Sequence, residues 1–323
     1  GTDSNPNGGL PGKFGVIRRA NLSKTTDYAT RLVMSAPKLD VENMEDIRAD
    51  FDYSVIPMTS LAANFFPFVI FHMRRFFENE FIGNTQHPIV NPDGSQGFAE
   101  INDYQLQFSD DRLKKELDRF IHGYSDRFRP VKVLCRVKGK QEYLDLKWKG
   151  FYKEPDVKAL KNERPLTWCD VRYMACEEAV KDRMILITRY PIDTFYNEFA
   201  TKIRLSSTIE TEEAVFDDVV YTHYPKIRKE DIGKDTSSSF IDTMNICNGY
   251  LDSIGGDYDG DMVTIKGVYT DEANAELKKQ LASNIHFINL GGNPVISTSK
   301  ESIQALYAMT LTLPDTKLSP VKF

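Results

Sequence analysis

The pattern of apolar and polar positions changes several times along the chain and predicts a mixture of strands and helices. From Gly12 to Ser35, charged residues alternate with β-branched and apolar residues, which is typical of strands with a basic face. Between Ile56 and Phe81 the sequence becomes rich in phenylalanine and predicts a buried helix. We expect this helix to be split at Pro67, because proline cannot donate to the helical hydrogen-bond ladder.

The middle of the chain predicts a loop, a helix, a hairpin and a second helix, in that order. Asn, Pro and Gly fill Gly83–Gly97, which favours a loop, whereas Asp103–Phe120 and Trp168–Asp182 have helical spacing of apolar residues. Two alternating runs separated by Gly139 predict a β-hairpin with a cationic side. The apolar positions on the two helix faces are Leu106, Leu113, Leu117 and Phe120, then Val171, Met174, Ala175 and Ala179.

Composition narrows the class of protein. The 323 residues carry 41 Lys and Arg against 47 Asp and Glu, a net charge of -6, which argues against a free-standing DNA-coating protein. The four cysteines form no CxxC pair, so we do not expect a zinc site built on thiolates. We expect free thiols in a reducing cytosol. The most apolar stretch, Val55–Phe71, is too short and too interrupted to span a bilayer. We therefore expect a cytoplasmic protein with no membrane partner; for a viral protein this means the host cytoplasm or the virion.

An acidic triplet carries the strongest chemical signal. Residues 255–265 read GGDYDGDMVTI, which places Asp257, Asp259 and Asp261 at alternate positions among glycines. On a regular strand such residues stand roughly 6.5 Å apart, so the backbone must curl for three carboxylates to meet one cation. Three carboxylates held so close together repel one another unless a cation is present. The pattern indicates a divalent ion, and Mg²⁺ fits it best.

Three other interpretations of the triplet compete with this one. An EF-hand calcium loop that starts at Asp257 fails, because it needs Gly at its sixth position and Glu at its twelfth, where this chain has Met262 and Val268. A sugar-nucleotide DxD site needs two acids and no third. A solvated acidic turn stays open on spacing alone, although the triplet leads directly into the apolar run Met262–Ile265.

The triplet and its flanks resemble one family. GGDYDGDMVTI is similar to the DxDGD metal motif of the largest (β′) subunit of multisubunit DNA-directed RNA polymerases. Flanking blocks resemble the family in its own order: GKFGVIRRANLSKTTDYATRLVMS, VIPMTSLAANFFPFVI and LTWCDVRYMACEEAVKDRMILITRYP before the motif, and the stretch from Thr270 to about Thr310 after it. Thr270 and a Thr298–Glu301 capping box are expected to open the two helices of that stretch.

The resemblance implies a mixed α+β fold with a double-psi β-barrel core, helical embellishments and two insertions. Asp257, Asp259 and Asp261 would hold one Mg²⁺ that activates the RNA 3′-OH, and a second Mg²⁺ would arrive with the NTP. Arg189 would lie near the ribose of the incoming nucleotide, where the family also has an Asn that is replaced in this chain by Gly255. The alternative for Arg189 is a structural arginine that caps backbone carbonyls. The residues implied to face template DNA or the RNA–DNA hybrid are Lys13, Arg18, Arg19, Lys24 and Arg31. The alternative for them is a solvated basic face.

The resemblance also implies partners. Polymerisation in this family needs a second barrel from a β-like subunit and the C-terminal part of β′, and this chain ends at Phe323, soon after the motif. We therefore expect a catalytic fragment that transfers nucleotides from NTPs to RNA on a DNA template only in complex with such subunits, as in the split polymerases of large tailed phages. The alternatives are a fragment of a two-barrel RNA-templated polymerase and a non-catalytic scaffold that mimics the barrel.

The expected segments follow from the same alignment of blocks. They are a flexible arm (1–11), the first part of the barrel region with the Phe-rich helix (12–77), an insertion with a helix and the basic hairpin (78–161), a helix with an Arg-x-Pro step (162–191), a second insertion (192–235), barrel strands with the metal loop (236–269) and a helical C-terminal segment (270–323).

Overall fold

The structure of the protein, a computed structural model, describes residues 27–37, 49–81, 86–90, 96–101, 103–123, 126–146, 164–192, 194–216, 219–283, 287–288, 291–296 and 300–311. The strands are β1 (Ala29–Val33), β2 (Tyr53–Pro57), β3 (Gln86–Val90), β4 (Gln96–Ile101), β5 (Lys132–Val137), β6 (Lys140–Asp145), β7 (Met184–Thr188), β8 (Glu198–Ser206), β9 (Thr211–Phe216), β10 (Val219–Pro225) and β11 (Met262–Gly267). The helices are α1 (Met58–Asn64), α2 (Phe66–Phe81), α3 (Tyr104–Gln107), α4 (Asp110–His122), α5 (Trp168–Val180), α6 (Leu251–Ile254), α7 (Asp271–Ala282) and α8 (Lys300–Thr310).

A mixed five-stranded sheet with the order β1-β11-β7-β8-β2 forms the centre of the molecule. Its pairs are antiparallel except β2 with β8, which run parallel. The sheet curls into a half-barrel, and one short segment contacts both of its edge strands. The Met244 N–H donates to the Val33 carbonyl at 3.1 Å, and the Val55 N–H donates to the Asn245 carbonyl at 2.9 Å. The expectation of a mixed α and β fold is confirmed, and the double-psi connection stays a prediction.

A second sheet, β3-β4-β5-β6, corrects the predicted loop over Gly83–Gly97. Strand Gln86–Val90 lies within that range, and Pro88 is tolerated there because β3 is the edge strand of the sheet. The predicted hairpin about Gly139 is confirmed as β5 and β6. Lys138 and Gly139 form its two-residue turn, both with positive φ, which matches the right-handed twist of the strands.

The Phe-rich helix begins later than predicted. Ile56 and Pro57 belong to strand β2, so the first helix starts at Met58, and the start at Ile56 was wrong. The split itself is present, at Phe65, and Pro67 is the second residue of α2. In the first turn of a helix, the backbone N–H groups have no acceptor within the helix. The missing N–H of proline therefore costs no helical hydrogen bond there, and Pro67 opens α2 rather than breaking it.

The predicted helix over Asp103–Phe120 is also two helices, α3 and α4, which meet at Phe108 and Ser109. Leu113, Leu117 and Phe120 are buried as expected. Leu106 is 74% exposed, so its place on the buried face was wrong. It lies on the short helix α3, whose direction the spacing along α4 does not determine.

Helix α5 confirms the prediction over Trp168–Asp182 and occupies the centre of the core. Not only its predicted face but almost its whole surface is buried, from Trp168 to Val180. An aromatic stack joins it to its neighbours, with the rings of Phe77 and Phe108 parallel and 3.9 Å apart and Trp168 edge-on to Phe77. Buried over most of its surface, this helix lies in one core with residues of the half-barrel and of the second sheet.

One of the two helix starts predicted after the triplet lies within the described residues. The Thr270 side chain accepts a hydrogen bond from the Ala273 N–H at 3.2 Å and caps α7, as predicted. Thr298 and the arm over 1–11 lie outside the described residues, so the second capping box and the arm stay predictions.

Both segments predicted as insertions contribute to the central structure. The range 78–161 supplies α4, whose leucines lie in the main core, and 192–235 supplies β8, which lies between β7 and β2. The boundaries of the predicted segments stay predictions. Within the part of the chain described by the structure, no helix has the length and apolar character needed to cross a membrane.

Candidate metal centre

The acidic triplet lies on a tight loop between helix α6 and strand β11. Gly255 ends α6 in the left-handed conformation, with φ 60° and ψ 34°. The Gly256 N–H donates back to the Leu251 carbonyl at 2.9 Å, which turns the chain sharply at the end of the helix. Gly260 has φ 116°, a value that residues with a side chain rarely adopt. The glycines therefore curl the backbone, as the sequence predicted, and strand β11 starts directly after Asp261.

The curl brings the three carboxylates together. One carboxylate oxygen each of Asp257, Asp259 and Asp261 lies within 4.8 Å of the others. The Asp257 N–H donates to Asp261 Oδ2 at 3.1 Å and so closes the loop on itself. Asp257 and Asp259 are exposed and Asp261 is partly buried. The group is thus open to solvent on one side and fixed to the sheet on the other.

Asp261 is held by the sheet as well as by the loop. Its carbonyl accepts a hydrogen bond from the Met34 N–H at 2.9 Å, just beyond the end of β1. Its carboxylate accepts from Arg189 Nε at 2.9 Å, and Arg189 Nη2 lies 2.9 Å from the same oxygen. A two-pronged contact between a guanidinium and a partly buried carboxylate is stronger than an exposed ion pair.

The topology explains why Arg189 reaches the triplet. Arg189 follows strand β7, and β7 pairs antiparallel with β11, so that Thr188 lies opposite Thr264. Because neighbouring antiparallel strands end where their partners begin, the residue after β7 lies beside the residue before β11. The predicted site residues Arg189 and Asp261 therefore meet, although the sequence did not predict a contact between them.

The electrostatics of the triplet suit a hard cation. A hydrogen bond with Asp257 and the negative charge of that carboxylate raise the pKa of Asp259, and Arg189 opposes this shift. The repulsion is what two carboxylates at close range produce when no cation lies between them. An all-oxygen donor set with exposed acids fits Mg²⁺, Mn²⁺ or Ca²⁺ rather than a soft metal. The residues present therefore fit the implied ion, without distinguishing Mg²⁺ from other hard cations.

Tyr258 anchors the loop, and the sequence analysis did not single it out. Its hydroxyl donates to Asn248 Oδ1 at 2.5 Å, and its ring packs partly buried against the core. Burial raises the pKa of Tyr258 to about 12, so the hydroxyl stays a donor at neutral pH. A large aromatic side chain between two acids predicts partial burial with a partner for its hydroxyl, and this signal was available in the sequence.

Of the five residues predicted to contact nucleic acid, only Arg31 lies within the described residues. Arg31 lies on β1 opposite Thr264 and its side chain is exposed, on the strand next to the one that follows the triplet. Lys13, Arg18, Arg19 and Lys24 lie outside the described residues. The roles of all five stay predictions.

Comparison with known proteins does not assign this chain to a family. No protein-family model matches this sequence, and no curated protein is similar enough to be detected as a relative. The function must therefore be argued from the motif blocks and from the geometry of the triplet.

Proposed function

We propose that this chain is the Mg²⁺-binding catalytic β′-type component of a DNA-directed RNA polymerase, active only together with β-like and C-terminal β′-like subunits. The observation that carries the proposal is the gathering of Asp257, Asp259 and Asp261 on a glycine loop at the start of a central strand. The solvated acidic turn, the main alternative from spacing, accounts poorly for an Asp261 that is fixed by Arg189 and by the sheet.

The double-psi barrel belongs to the same proposal. The central sheet has five strands, and the segment at Met244–Asn245 makes isolated bridges to Met34 and to Val55. These bridges lie beyond β1 on one side and within β2 on the other, so one segment spans the gap between the two edges. A closed barrel needs a segment that joins the two edges of its sheet, and this one supports the proposed architecture.

In the proposed reaction, the chain mainly positions the reacting groups and supplies charge. When bound, Mg²⁺ would supply a Lewis acid that lowers the pKa of the RNA 3′-OH and orients it toward the NTP. Asp257 and Asp259 are exposed, which leaves the solvent side of the site free for substrate, while Asp261 fixes the loop to the sheet. Arg189, half-buried beside Asp261, places a fixed positive charge next to the position expected for the nucleotide.

The test is a substitution in the assembled polymerase. Asp259→Asn removes one charged ligand with little change in shape, so RNA synthesis by the complex purified with its native partner chains should fall by at least ~100-fold. The matched control is Asp252→Asn, a carboxylate of helix α6 outside the triplet, which should leave synthesis near the wild-type rate.

Two results would contradict the proposal. Full activity of the Asp259→Asn complex would favour a scaffold that mimics the barrel. Synthesis on RNA templates in preference to DNA templates would favour the RNA-templated class of two-barrel polymerase.

A further inference from the structure

The two carboxylate oxygens of Asp261 have different surroundings. Oδ2 lies 2.9 Å from Arg189 Nε, 2.9 Å from Arg189 Nη2 and 3.1 Å from the Asp257 N–H. For Oδ1, the described part of the chain provides no hydrogen-bond donor. Two hydrogen bonds and the ion-pair contact with Arg189 Nη2 occupy Oδ2, so the capacity of Asp261 to bind a cation is concentrated in Oδ1.

Arg189 is itself held in place. Its backbone N–H donates to the Asn197 carbonyl at 3.2 Å, and its Nη1 donates to the Ile254 carbonyl at 3.4 Å. The guanidinium thus joins the end of β7, the end of helix α6 and the last acid of the triplet. A rigid planar fork can fix the rotation of a carboxylate, whereas a lysine ammonium makes a single flexible contact.

We propose that Arg189 is a positioning residue of the metal centre, which holds Asp261 by Oδ2 so that Oδ1 is the oxygen offered to the cation. This inference rests on the proposed metal-dependent function, and it gives Arg189 a role besides the contact to the nucleotide ribose implied by the resemblance. Partners that orient metal ligands from behind typically change metal affinity by about 10–100-fold when they are removed.

The positive charge of Arg189 acts in the opposite direction, because it repels a cation bound to the triplet. A charge-matched substitution separates the two effects. Arg189→Lys keeps the charge and loses the two-pronged contact, whereas Arg189→Met loses both. If positioning dominates, both variants bind the cation more weakly than the wild type. If charge alone matters, Arg189→Lys is unchanged and Arg189→Met binds more tightly.

The experiment is a titration of the full chain with Mn²⁺, which accepts the same oxygen ligands as Mg²⁺ and whose free form is counted by electron paramagnetic resonance. We expect about tenfold weaker Mn²⁺ binding for Arg189→Lys than for the wild type, with Mg²⁺ competing in each case. The matched control is Arg183→Lys. Arg183 donates to the Tyr269 carbonyl at 2.8 Å and stacks on Phe68, away from the triplet, so its substitution should leave the affinity unchanged.

Unchanged affinity in Arg189→Lys, an equal loss in Arg183→Lys, or no Mn²⁺ binding by the wild-type chain would each overturn the inference. A different set of results is expected if the inference about Arg189 is right but the proposed polymerase function is wrong. In that case the wild type binds Mn²⁺ through the triplet and Arg189→Lys weakens it, but the Asp259→Asn polymerase still makes RNA.

Discussion

Gly255 shows how one residue shapes the metal loop. Its left-handed conformation ends helix α6, and a Cβ added there would lie 3.8 Å from Arg189 Nη1, an ordinary contact distance. The obstacle to a side chain at this position is therefore the backbone conformation rather than lack of space. Asparagine, which the resembling family carries at this position, is among the residues that tolerate left-handed backbone best.

Gly255→Asn should therefore be milder than Gly255→Ala. We expect the alanine variant to lower the free energy of unfolding by about 1 kcal/mol and the asparagine variant by less. Urea unfolding of the two variants and the wild type measures the difference. Equal losses in both variants would show that steric contact with Arg189, and not backbone strain, limits this position.

At the scale of the element, the buried carboxylate of Asp170 fixes the start of helix α5. The Thr167 N–H and hydroxyl each donate to Asp170 at 2.7 Å, completing a capping box at the start of the helix. Arg164 binds both carboxylate oxygens at 2.8 Å, and the Tyr224 hydroxyl of strand β10 donates to one of them. One side chain thus links the helix start, the segment before it and the β9–β10 hairpin.

Asp170→Ala should destabilise the protein strongly, because it leaves the Arg164 guanidinium, which is 11% exposed, without its carboxylate. Breaking a buried ion pair by removing one partner costs about 3–5 kcal/mol. Thermal or urea unfolding measures the loss. The control is Asp118→Ala on helix α4, a carboxylate 67% exposed, for which a change within about 0.5 kcal/mol is expected. Similar small losses for both variants would contradict the assigned role of Asp170.

The elements that the sequence predicted best are those whose local signals agree with their packing. The hairpin about Gly139, helix α5 and the strand after the triplet have both the right periodicity and clear turn or cap residues. The error at Leu106 came from extending the spacing of α4 to the separate helix α3. The errors at Ile56 and over Gly83–Gly97 have a shared cause. Short apolar or proline-containing runs fit a strand, a loop or a helix equally well, and the neighbours in space decide among them.

At the scale of the whole molecule, Glu177 couples stability to pH. Burial raises the pKa of this carboxyl, on helix α5, from its ordinary 4.5 to about 7. The folded state therefore prefers the protonated form, and its contribution to stability is present below pH 4.5 and is lost as the pH rises from 4.5 to about 7. At about 1.4 kcal/mol per pKa unit, a rise from 4.5 to about 7 corresponds to about 3.5 kcal/mol. Screening by water around the partly exposed side chain reduces the expected effect to roughly 2 kcal/mol.

Glu177→Gln removes the ionisation and keeps the shape. We expect the variant to match the wild type near pH ~4 and to be more stable by roughly 2 kcal/mol at about pH 8. Urea unfolding at both pH values tests this, with Glu178→Gln as the exposed neighbouring control. The free energy of unfolding of Glu177→Gln could instead differ from that of the wild type by the same amount at both pH values. That result would rule out burial of the ionisable group as the cause of the difference.

Arg189 was proposed as a site residue through the resemblance alone. The sequence by itself determined the acidic triplet, its glycines and the strand that follows. These depend on neighbours along the chain, and local backbone preferences act over that range. The basis for the proposed polymerase function also lies there, in the order of the motif blocks.

Only the tertiary structure decided which of these residues meet. Arg189 and Asp261 are brought together by the antiparallel pairing of β7 with β11, and the edges of the sheet are bridged by Met244 and Asn245, far along the chain from Val33 and Val55. Strand β8, within a range predicted as an insertion, lies inside the central sheet. Pairing between distant strands leaves little trace in a single sequence, because many registers satisfy the same apolar pattern and the packing of the whole core selects one.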